Sequence, residues 1–183
     1  MGNRLSKITT RTGDDGSTGL GDGSRINKDH ARMHAIGDVD EFNSTLGVLR
    51  ATLGHDDAED ALLSLMQHHL FDVGGELAVP GFEMVTADHL AAIEVHSARL
   101  NEDLPPLKEF ILPAGTLAAS HCQVARAVAR RAERSVVALR HLDDAVRPEI
   151  QQYLNRASDV LFILARSLCR RDGGNEVYWQ RGD

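Results

Sequence analysis

The chain is poor in cysteine, in aromatic residues and in long apolar runs. Only 2 of its 183 residues are cysteine, Cys122 and Cys169, and they form neither a CxxC pair nor a Cys/His cluster with zinc spacing. This excludes a disulfide framework and a zinc module. No apolar run approaches the roughly 20 residues that span a bilayer, and the first residues lack the apolar core of a secretory signal. We therefore expect a single cytoplasmic domain over residues 1–183.

The chain also has little lysine and no excess of positive charge. It carries 20 basic and 27 acidic residues, a net charge of -7, which argues against a general nucleic-acid coat. Only Lys7, Lys28 and Lys108 are lysines, so the other 17 basic residues are arginine. The planar arginine side chain suits paired contacts to phosphate or carboxylate. A codon preference for arginine is the alternative explanation, and it stays open.

Apolar residues recur at three- and four-residue steps in five segments, which predicts five helices and no strands. Proline and glycine separate the segments, and Pro148 suits the first turn of the last helix. Short connections between helices favour an all-α, antiparallel five-helix bundle. The predicted helices are 29–53, 58–77, 86–101, 116–141 and 148–172. The chain then divides into a loop (1–27), the bundle (28–172) and a tail (173–183).

The spacing of apolar residues also predicts which helix faces are buried. The last helix follows a 4-3-4-3-4 spacing typical of a bundle seam. Its predicted seam is Ile150, Leu154, Ala157, Leu161, Leu164 and Leu168. For the fourth helix we expect Leu117, Val124, Val128, Ala132 and Leu139 to face inward. Between the third and fourth helices, residues 110–115 contain Pro113 and Gly115 and cannot continue as helix, so we expect an ordered, partly buried loop.

Residues 9–20 concentrate glycine, threonine and aspartate ahead of the first helix. No Lys-Ser or Lys-Thr follows the glycines, so this is not a Walker A motif, and a GxGxxG fingerprint is absent too. Glycines nevertheless allow backbone N–H groups to converge on an anion, with hydroxyls from Thr10, Ser17 and Thr18 nearby. Asp14 could hold a metal ion that bridges phosphates. The segment is thus predicted to bind a polyanion, and a disordered glycine-rich terminus is the alternative.

Three arginines of the fourth helix, Arg126, Arg130 and Arg134, share one face because they lie four residues apart. Such stacked charges repel unless carboxylates or phosphates oppose them, and Glu133 compensates only part of the charge. A solvated helix face is the simple alternative. On the last helix Asn155 follows a seam residue, so it is either an amide donor to a phosphate or a buried structural hydrogen-bonding group.

The first helix carries four polar groups within six residues, Asp38, Asp40, Glu41 and Asn43. A di-iron bundle would also need Glu-x-x-His pairs, and no glutamate has histidine three residues later. We therefore expect Asp40 to pair with an arginine. The histidines likewise lack partners at metal-binding spacing and are interpreted as surface or core residues; they include His68, His69, His89 and His96.

Taken together, these segments resemble the PduO-type ATP:cob(I)alamin adenosyltransferases, in order and over nearly the whole chain. The motifs that carry the resemblance are TRTGDDGSTGL (10–20), GDVDEFN (37–43), FILPAG (110–115), RRAER (130–134) and LNRASD (154–159). The departures are Ser17, Phe42, Ala114 and Ala157, where the family usually has Thr, Leu, Gly and Leu. Ala114 lies beside the expected corrinoid and changes the backbone freedom of that loop.

The resemblance implies a ferritin-like five-helix bundle assembled as a homotrimer, with ATP and corrinoid bound at each subunit boundary. Carried over by position, the residues that wrap ATP are Thr10, Arg11, Gly13, Asp14, Gly16, Ser17 and Thr18. Lys28 contacts the phosphates, and Arg130, Glu133, Arg134 and Asn155 complete the site across the interface. Asp40 and Arg126 look like the intersubunit ion pair. Phe110 looks like the residue beneath the corrin ring. Mg2+ is implied, and a monovalent ion such as K+ at Asp14 stays open.

The implied reaction is transfer of the 5'-deoxyadenosyl group of ATP to cob(I)alamin, which gives adenosylcobalamin and triphosphate. Arg130, Arg134, Lys28 and Phe110 are the residues expected to act in it. A flavoprotein reductase and a cobalamin-dependent mutase are the expected protein partners, and no nucleic acid or membrane is involved. Two alternatives stay open: a non-catalytic corrinoid carrier that uses ATP as a release signal, and an arginine face that serves only as an oligomer interface.

Overall fold

The computed structural model describes residues 9–182, so residues 1–8 of the predicted loop and the last tail residue, Asp183, lie outside it. The elements are β1 (Ser17–Gly19), β2 (Arg25–Asn27), α1 (Ala31–Leu53), α2 (Asp60–Ala78), α3 (Ala87–Glu102), α4 (Leu117–Arg140) and α5 (Pro148–Arg171). Every predicted helix boundary lies within two residues of the observed one. Thr116 caps α4 as expected, because its hydroxyl accepts a hydrogen bond from the Ala119 backbone at 3.3 Å.

The five helices pack in a ring around one core. α4 packs against α1 and α5, α1 against α2, and α5 against α3, while a lighter contact between α2 and α3 completes the ring. Contacts between α1 and α2 join Asn43 to Gln67 and Arg50 to Asp60, so these two helices run in opposite directions. Burial of the shared apolar faces, rather than the isolated helices, supplies most of the stability of such a fold.

The prediction of an antiparallel bundle is wrong for α3 and α5, which are neighbours that run in the same direction. Arg156 of α5 bonds to Glu94 of α3, and ten residues further along, Arg166 donates to the carbonyl of Pro105, just beyond α3, at 2.7 Å. Residue numbers therefore rise together along both helices. This brings the connection between α3 and α4 beside the last turns of α5, and that connection carries Phe110.

The core confirms the seam predicted for α5 and corrects the face predicted for α4. All six seam residues of α5 are buried, whereas Leu117 and Val124 of α4 are 68% and 53% exposed. Val128, Ala132 and Leu139 are buried as predicted. The rest of the inward face of α4 is made of mostly smaller residues, namely Ala118, Ala119, Cys122, Ala125, Ala129 and Val136. Alanine lets α4 lie close to both α1 and α5, and its small size gives little hydrophobic signal in the sequence.

The prediction of no strands is wrong for the segment before α1, which forms a short hairpin. β1 and β2 pair antiparallel, with Thr18 opposite Ile26. Strands of three residues are too short to show an alternating pattern. The turn of the hairpin is fastened to the end of α2, because the Gly21 N–H donates to the Ala78 carbonyl at 2.8 Å. A Cβ at Gly21 would lie 2.5 Å from the Val79 side chain, so only glycine fits here.

The burial of His69 allows a prediction of how the free energy of unfolding depends on pH. Its ring lies 4.4 Å from that of His89 and 5.5 Å from that of Tyr153, and burial, followed by the charge of His89, lowers the pKa of His69. Below the unfolded value of about 6.5 the unfolded chain takes up this proton and the folded chain does not. The free energy of unfolding should therefore fall as pH drops from 7 towards 5, and less steeply in His69→Gln. Denaturant titrations at both pH values measure this slope.

The exposed neighbour His68 supplies the matched control for that titration. His68→Gln should come close to the slope of the unmodified protein, because His68 is exposed and its replacement leaves His69 buried. An unchanged slope in His69→Gln would contradict the role given to burial.

Candidate functional site

The segment between residues 9 and 28 is folded by its own hydrogen bonds. Arg25 donates to the Thr12 carbonyl at 2.8 Å and to the Ser17 hydroxyl at 3.1 Å. Asp15 accepts from the Ser17 backbone at 2.9 Å and from its hydroxyl at 2.8 Å, and these bonds lower the pKa of the Asp15 carboxyl. Residues 9–28 are therefore folded, and the alternative of a disordered glycine-rich terminus does not apply to them. Arg25 was missed from the sequence because no motif or periodicity marks it.

Lys28 closes this loop from the other side. Its Nζ donates to the Gly13 carbonyl at 2.7 Å, and its backbone N–H donates to the Gly16 carbonyl at 2.9 Å. A Cβ at Gly13 would lie 2.9 Å from that Nζ, and Gly16 has a φ of 84°, so both positions suit glycine. The ammonium group of Lys28 thus lies against the loop backbone, and Thr10, Arg11 and Asp14 of the same loop are exposed.

Two residues of the arginine face of α4, Arg130 and Arg134, are exposed, and the charges of this face are poorly neutralised. Arg126 is partly buried; its Nε donates to the Gln123 side chain at 2.7 Å, and its guanidinium lies 6.0 Å from the Phe162 ring centre. Burial, together with the nearby Arg130, lowers the pKa of Arg126. Among residues 9–182, neither Arg126 nor Arg130 forms an ion pair. An anion at this face would relieve the repulsion between them.

The next residue along the helix behaves differently. Arg131 turns towards α1, where it forms ion pairs with Asp38, at 3.1 Å, and with Glu41. With Asn43, which bonds to Gln67 of α2, three of the four polar groups singled out on α1 are therefore used inside the chain. Asp40 is exposed and has no ion-pair partner in the described part of the chain, so the expected pairing of Asp40 with an arginine is not made within one subunit.

A cleft of about 600 Å3 opens at the arginine face. Its walls include Arg126 and Arg130 of α4, Phe162 and Arg166 of α5, and the prolines that follow α3. A second cavity, of about 420 Å3, shares Phe162 and is lined by residues 107–111. The two cavities are neighbours, so a ligand with one charged and one large apolar part could occupy both.

Phe110 lies at the edge of the second cavity, with 79% of its surface exposed. The loop 110–115 is ordered by backbone bonds, but the expectation that it is partly buried is wrong except at Ile111. Exposed aromatic side chains of this kind mark ligand or partner sites. Asn155 is also exposed rather than turned into the bundle, which removes the reading of a buried structural amide and leaves the amide free for a ligand.

The two halves of the predicted nucleotide site do not meet within one chain. None of the loop residues 9–28 lines the cleft at Arg126 and Arg130. The loop is instead attached to the start of α1 and the end of α2. A site that uses both halves therefore needs a second subunit.

A family model described as cobalamin adenosyltransferase matches residues 8–168. The chain belongs to the cobalamin adenosyltransferase family. It is 51% identical over 181 residues to a cobalamin adenosyltransferase of Cupriavidus metallidurans, covering 99% of this chain and 98% of the relative. It is 39% identical over 182 residues to a corrinoid adenosyltransferase of Bacillus subtilis, covering 96% of this chain and 93% of the relative.

Solved structures of the family are similar to this chain over nearly its whole length. A single-residue variant of the PduO-type ATP:corrinoid adenosyltransferase from Lactobacillus reuteri, complexed with cobalamin and ATP, has a TM-score of 0.91 and 30% identity and covers 97% of this chain and 98% of that one. A second variant of the same enzyme, complexed with ATP, has a TM-score of 0.89 and 31% identity and covers 94% of this chain and 100% of that one. The resemblance noted in the sequence is therefore confirmed at the level of the family.

Two further properties bear on the site. Between residues 9 and 182, no helix combines the length and the apolar character needed to cross a membrane. In the same part of the chain, His, Cys, Asp and Glu side chains do not gather in groups of three or more that could hold a metal ion. Asp14 is exposed in the loop, and a lone carboxylate suits only a metal ion that is held mainly by phosphates.

Proposed function

We propose that this protein transfers the 5'-deoxyadenosyl group of ATP to cob(I)alamin, forming adenosylcobalamin and releasing triphosphate. The observation that carries the proposal is the likeness, at a TM-score of 0.91, to a PduO-type enzyme complexed with both cobalamin and ATP. The folded loop and the unneutralised arginine face support it independently, because both suit a polyphosphate.

ATP lies between two subunits in this proposal. The loop of one subunit wraps the nucleotide through Thr10, Arg11, Gly13, Asp14, Gly16, Ser17 and Thr18. Lys28 leaves the Gly13 carbonyl, 2.7 Å away in the free chain, and contacts the phosphates. The neighbouring subunit contributes Arg130, Arg134, Glu133 and Asn155. This arrangement supplies the anion that the arginine face lacks, and it explains why the loop and the cleft are separate within one chain.

The subunits form a homotrimer of five-helix bundles in which Asp40 of one copy pairs with Arg126 of the next. The exposed position of Asp40 and the lack of an ion pair at Arg126 within the described chain support this pairing. A head-to-tail contact of this kind closes into a ring when its rotation is a third of a turn. Each ring then contains three equivalent sites.

Reversing one charge of that pair tests the assembly. Asp40→Arg should place two cations opposite each other, shift the trimer towards monomer and lower activity by about tenfold or more. Adding Arg126→Asp to the same chain should restore the trimer, since every interface then regains an opposite pair. Analytical ultracentrifugation measures the mass. Asp56→Arg, an exposed change in the connection after α1, should leave assembly intact, and a trimeric Asp40→Arg protein would contradict the pairing.

The chemistry needs no catalytic serine and no general base. The electron pair of Co(I) attacks C5' of the ribose, the C5'–O5' bond breaks, and the triphosphate leaves with that bond's electrons. The protein holds cobalt and C5' in line and neutralises the charge that grows on the triphosphate through Lys28, Arg130 and Arg134. Mg2+, held through Asp14 and the phosphate oxygens, supplies further neutralisation when bound, and K+ is the alternative ion.

Phe110 acts on the corrinoid. Its exposed ring covers the lower face of the corrin and excludes a lower axial ligand, which makes four-coordinate Co(II) easier to reduce. A flavoprotein reductase supplies the electron, a cobalamin-dependent mutase receives the product, and the protein works in the cytoplasm. Ala114, where the family usually has glycine, restricts the backbone beside this contact.

Incubation with ATP and chemically reduced cobalamin under anaerobic conditions tests the proposal. The expected result is the absorbance change of Co–C bond formation together with release of one intact triphosphate per cobalamin. A carrier that uses ATP only as a release signal would free the corrinoid without producing triphosphate, and that result would contradict the enzyme assignment.

A further inference from the structure

The C-terminal tail runs alongside the loop that carries Phe110. The Leu112 N–H donates to the Val177 carbonyl at 2.7 Å, and the Trp179 N–H donates to the Phe110 carbonyl at 2.8 Å. Between them, Ile111 and Tyr178 form an antiparallel bridge. The tail therefore acts as a short strand against residues 110–112, and one of its bonds is made to the backbone of Phe110 itself.

A buried ion pair fixes the tail in this position. Arg166 donates from Nε to Glu176 at 2.6 Å, and the two side chains are 5% and 3% exposed. The same guanidinium donates from Nη2 to the Pro105 carbonyl at 2.7 Å. Arg166 thus binds two segments. One is the start of the connection between α3 and α4, at Pro105, and the other is the tail, which pairs with residues 110–112 of that connection.

Close packing against the end of α5 fixes the start of the tail and the end of the loop 110–115. After α5 the chain reverses at Gly173, with a φ of 74°, and the Gly174 N–H donates to the Cys169 carbonyl at 2.8 Å. A Cβ at Gly174 would lie 2.8 Å from the Thr116 side chain and 3.0 Å from that carbonyl. A Cβ at Gly115 would lie 2.7 Å from the Cys169 sulfur. The loop and the tail are therefore both packed against Cys169 of α5.

We propose that Arg166 and Glu176 are positioning residues for Phe110: their ion pair clamps the tail onto the loop and so fixes the aromatic ring at the corrinoid site. The inference rests on the proposed role of Phe110. A buried ion pair adds little net stability compared with apolar side chains, yet its geometry is demanding, so it suits a contact that must have one register. Phe110 itself is 79% exposed, so little packing of its own fixes the ring.

The tail carries its own reporter, because Trp179 is the only tryptophan of the chain. Glu176→Gln keeps the shape of the side chain and removes its charge. We expect its tryptophan emission to move to longer wavelength, with stronger quenching by acrylamide. Adenosylation that starts from Co(II) with a reductant should fall about tenfold, as for other residues that orient a reacting group. Adenosylation from preformed Co(I) should fall less than about threefold.

A double variant separates positioning from a general structural role. If Glu176 acts through Phe110, Phe110→Ala combined with Glu176→Gln should lose no more Co(II)-dependent activity than Phe110→Ala alone. Asp172→Asn is the matched control, since Asp172 pairs with Arg171 at the end of α5 and does not touch the loop. It should leave both the fluorescence and the two activities unchanged.

Should Glu176→Gln fail to fold, Arg166→Met combined with Glu176→Met removes both charges together, and the same loss from Co(II) is expected. The inference is overturned by unshifted fluorescence, by full Co(II)-dependent activity in a variant with a released tail, by equal losses in the two assays, or by losses that add in the double variant. An unmodified protein that forms no Co–C bond from Co(I) overturns the proposed function and this inference with it.

Discussion

Replacing Arg130 by alanine should lower the rate of adenosyl transfer by on the order of a hundredfold or more while the helical content stays constant. Loss of one preorganised donor to a departing group typically costs about 3 kcal/mol of transition-state stabilisation. Arg130 is exposed and forms no ion pair within residues 9–182, so its removal breaks no contact that holds the chain together. Turnover from preformed Co(I) and far-ultraviolet circular dichroism measure the two quantities.

The adjacent Arg131 provides the control for that experiment. It is bound to Asp38 and Glu41 of α1, so Arg131→Ala should reduce the free energy of unfolding and leave turnover per folded molecule nearly unchanged. Two neighbouring arginines thus separate a catalytic role from a structural one. Equal turnover in Arg130→Ala and the unmodified protein would remove the arginine face from the mechanism.

Phe110→Ala should lower Co(II)-dependent adenosylation by roughly a hundredfold and leave the reaction of preformed Co(I) within a few-fold of normal, since only reduction needs the lower face of cobalt to be covered. The ring is 79% exposed, so its loss leaves no cavity in the core and thermal stability should not change. Assays started from the two oxidation states, on the same preparation, measure the split.

Phe82→Ala is the matched control, because Phe82 is also an exposed aromatic residue, at 55%, but lies after α2 beside Glu83 and Arg147 rather than at the arginine cleft. It should retain both activities. If Phe110→Ala lost the same factor in both assays, the residue would serve attack or corrinoid binding in general, and the role in reduction would be wrong.

The helices were predictable because large apolar residues mark them. In α5 the seam consists mostly of leucine at regular spacing, and every member is buried. In α4 the inward face consists mainly of alanine, so Leu117 and Val124 were assigned inward although they are exposed. Large side chains dominate a hydrophobic pattern, whereas close helix packing selects small ones. The hairpin was missed because three-residue strands carry too little pattern.

The candidate site was predictable where its residues lie close together in sequence. Arg126, Arg130 and Arg134 share a face by helical spacing alone, and the glycines before α1 mark a loop. Contacts between residues that are brought together by a loop or turn left no pattern in the sequence. Arg25 binds the loop through Thr12 and Ser17, and Glu176 reaches Arg166 around the turn at Gly173. Only the folded chain brings these partners together.

The central claim is that each ATP site is built from two subunits, and mixed trimers test it most directly. Lys28→Ala disables the loop half and Arg130→Ala disables the helix half, so each variant alone should be nearly inactive. Co-expressed in equal amounts with different tags and purified through both, they should regain activity, because some interfaces then combine an intact loop with an intact arginine face. In every mixed trimer one of the three interfaces combines both intact halves, so about a third of the sites are intact. Recovery towards that level is the predicted result, and a mixed trimer no more active than the two variants assayed separately would contradict the shared site.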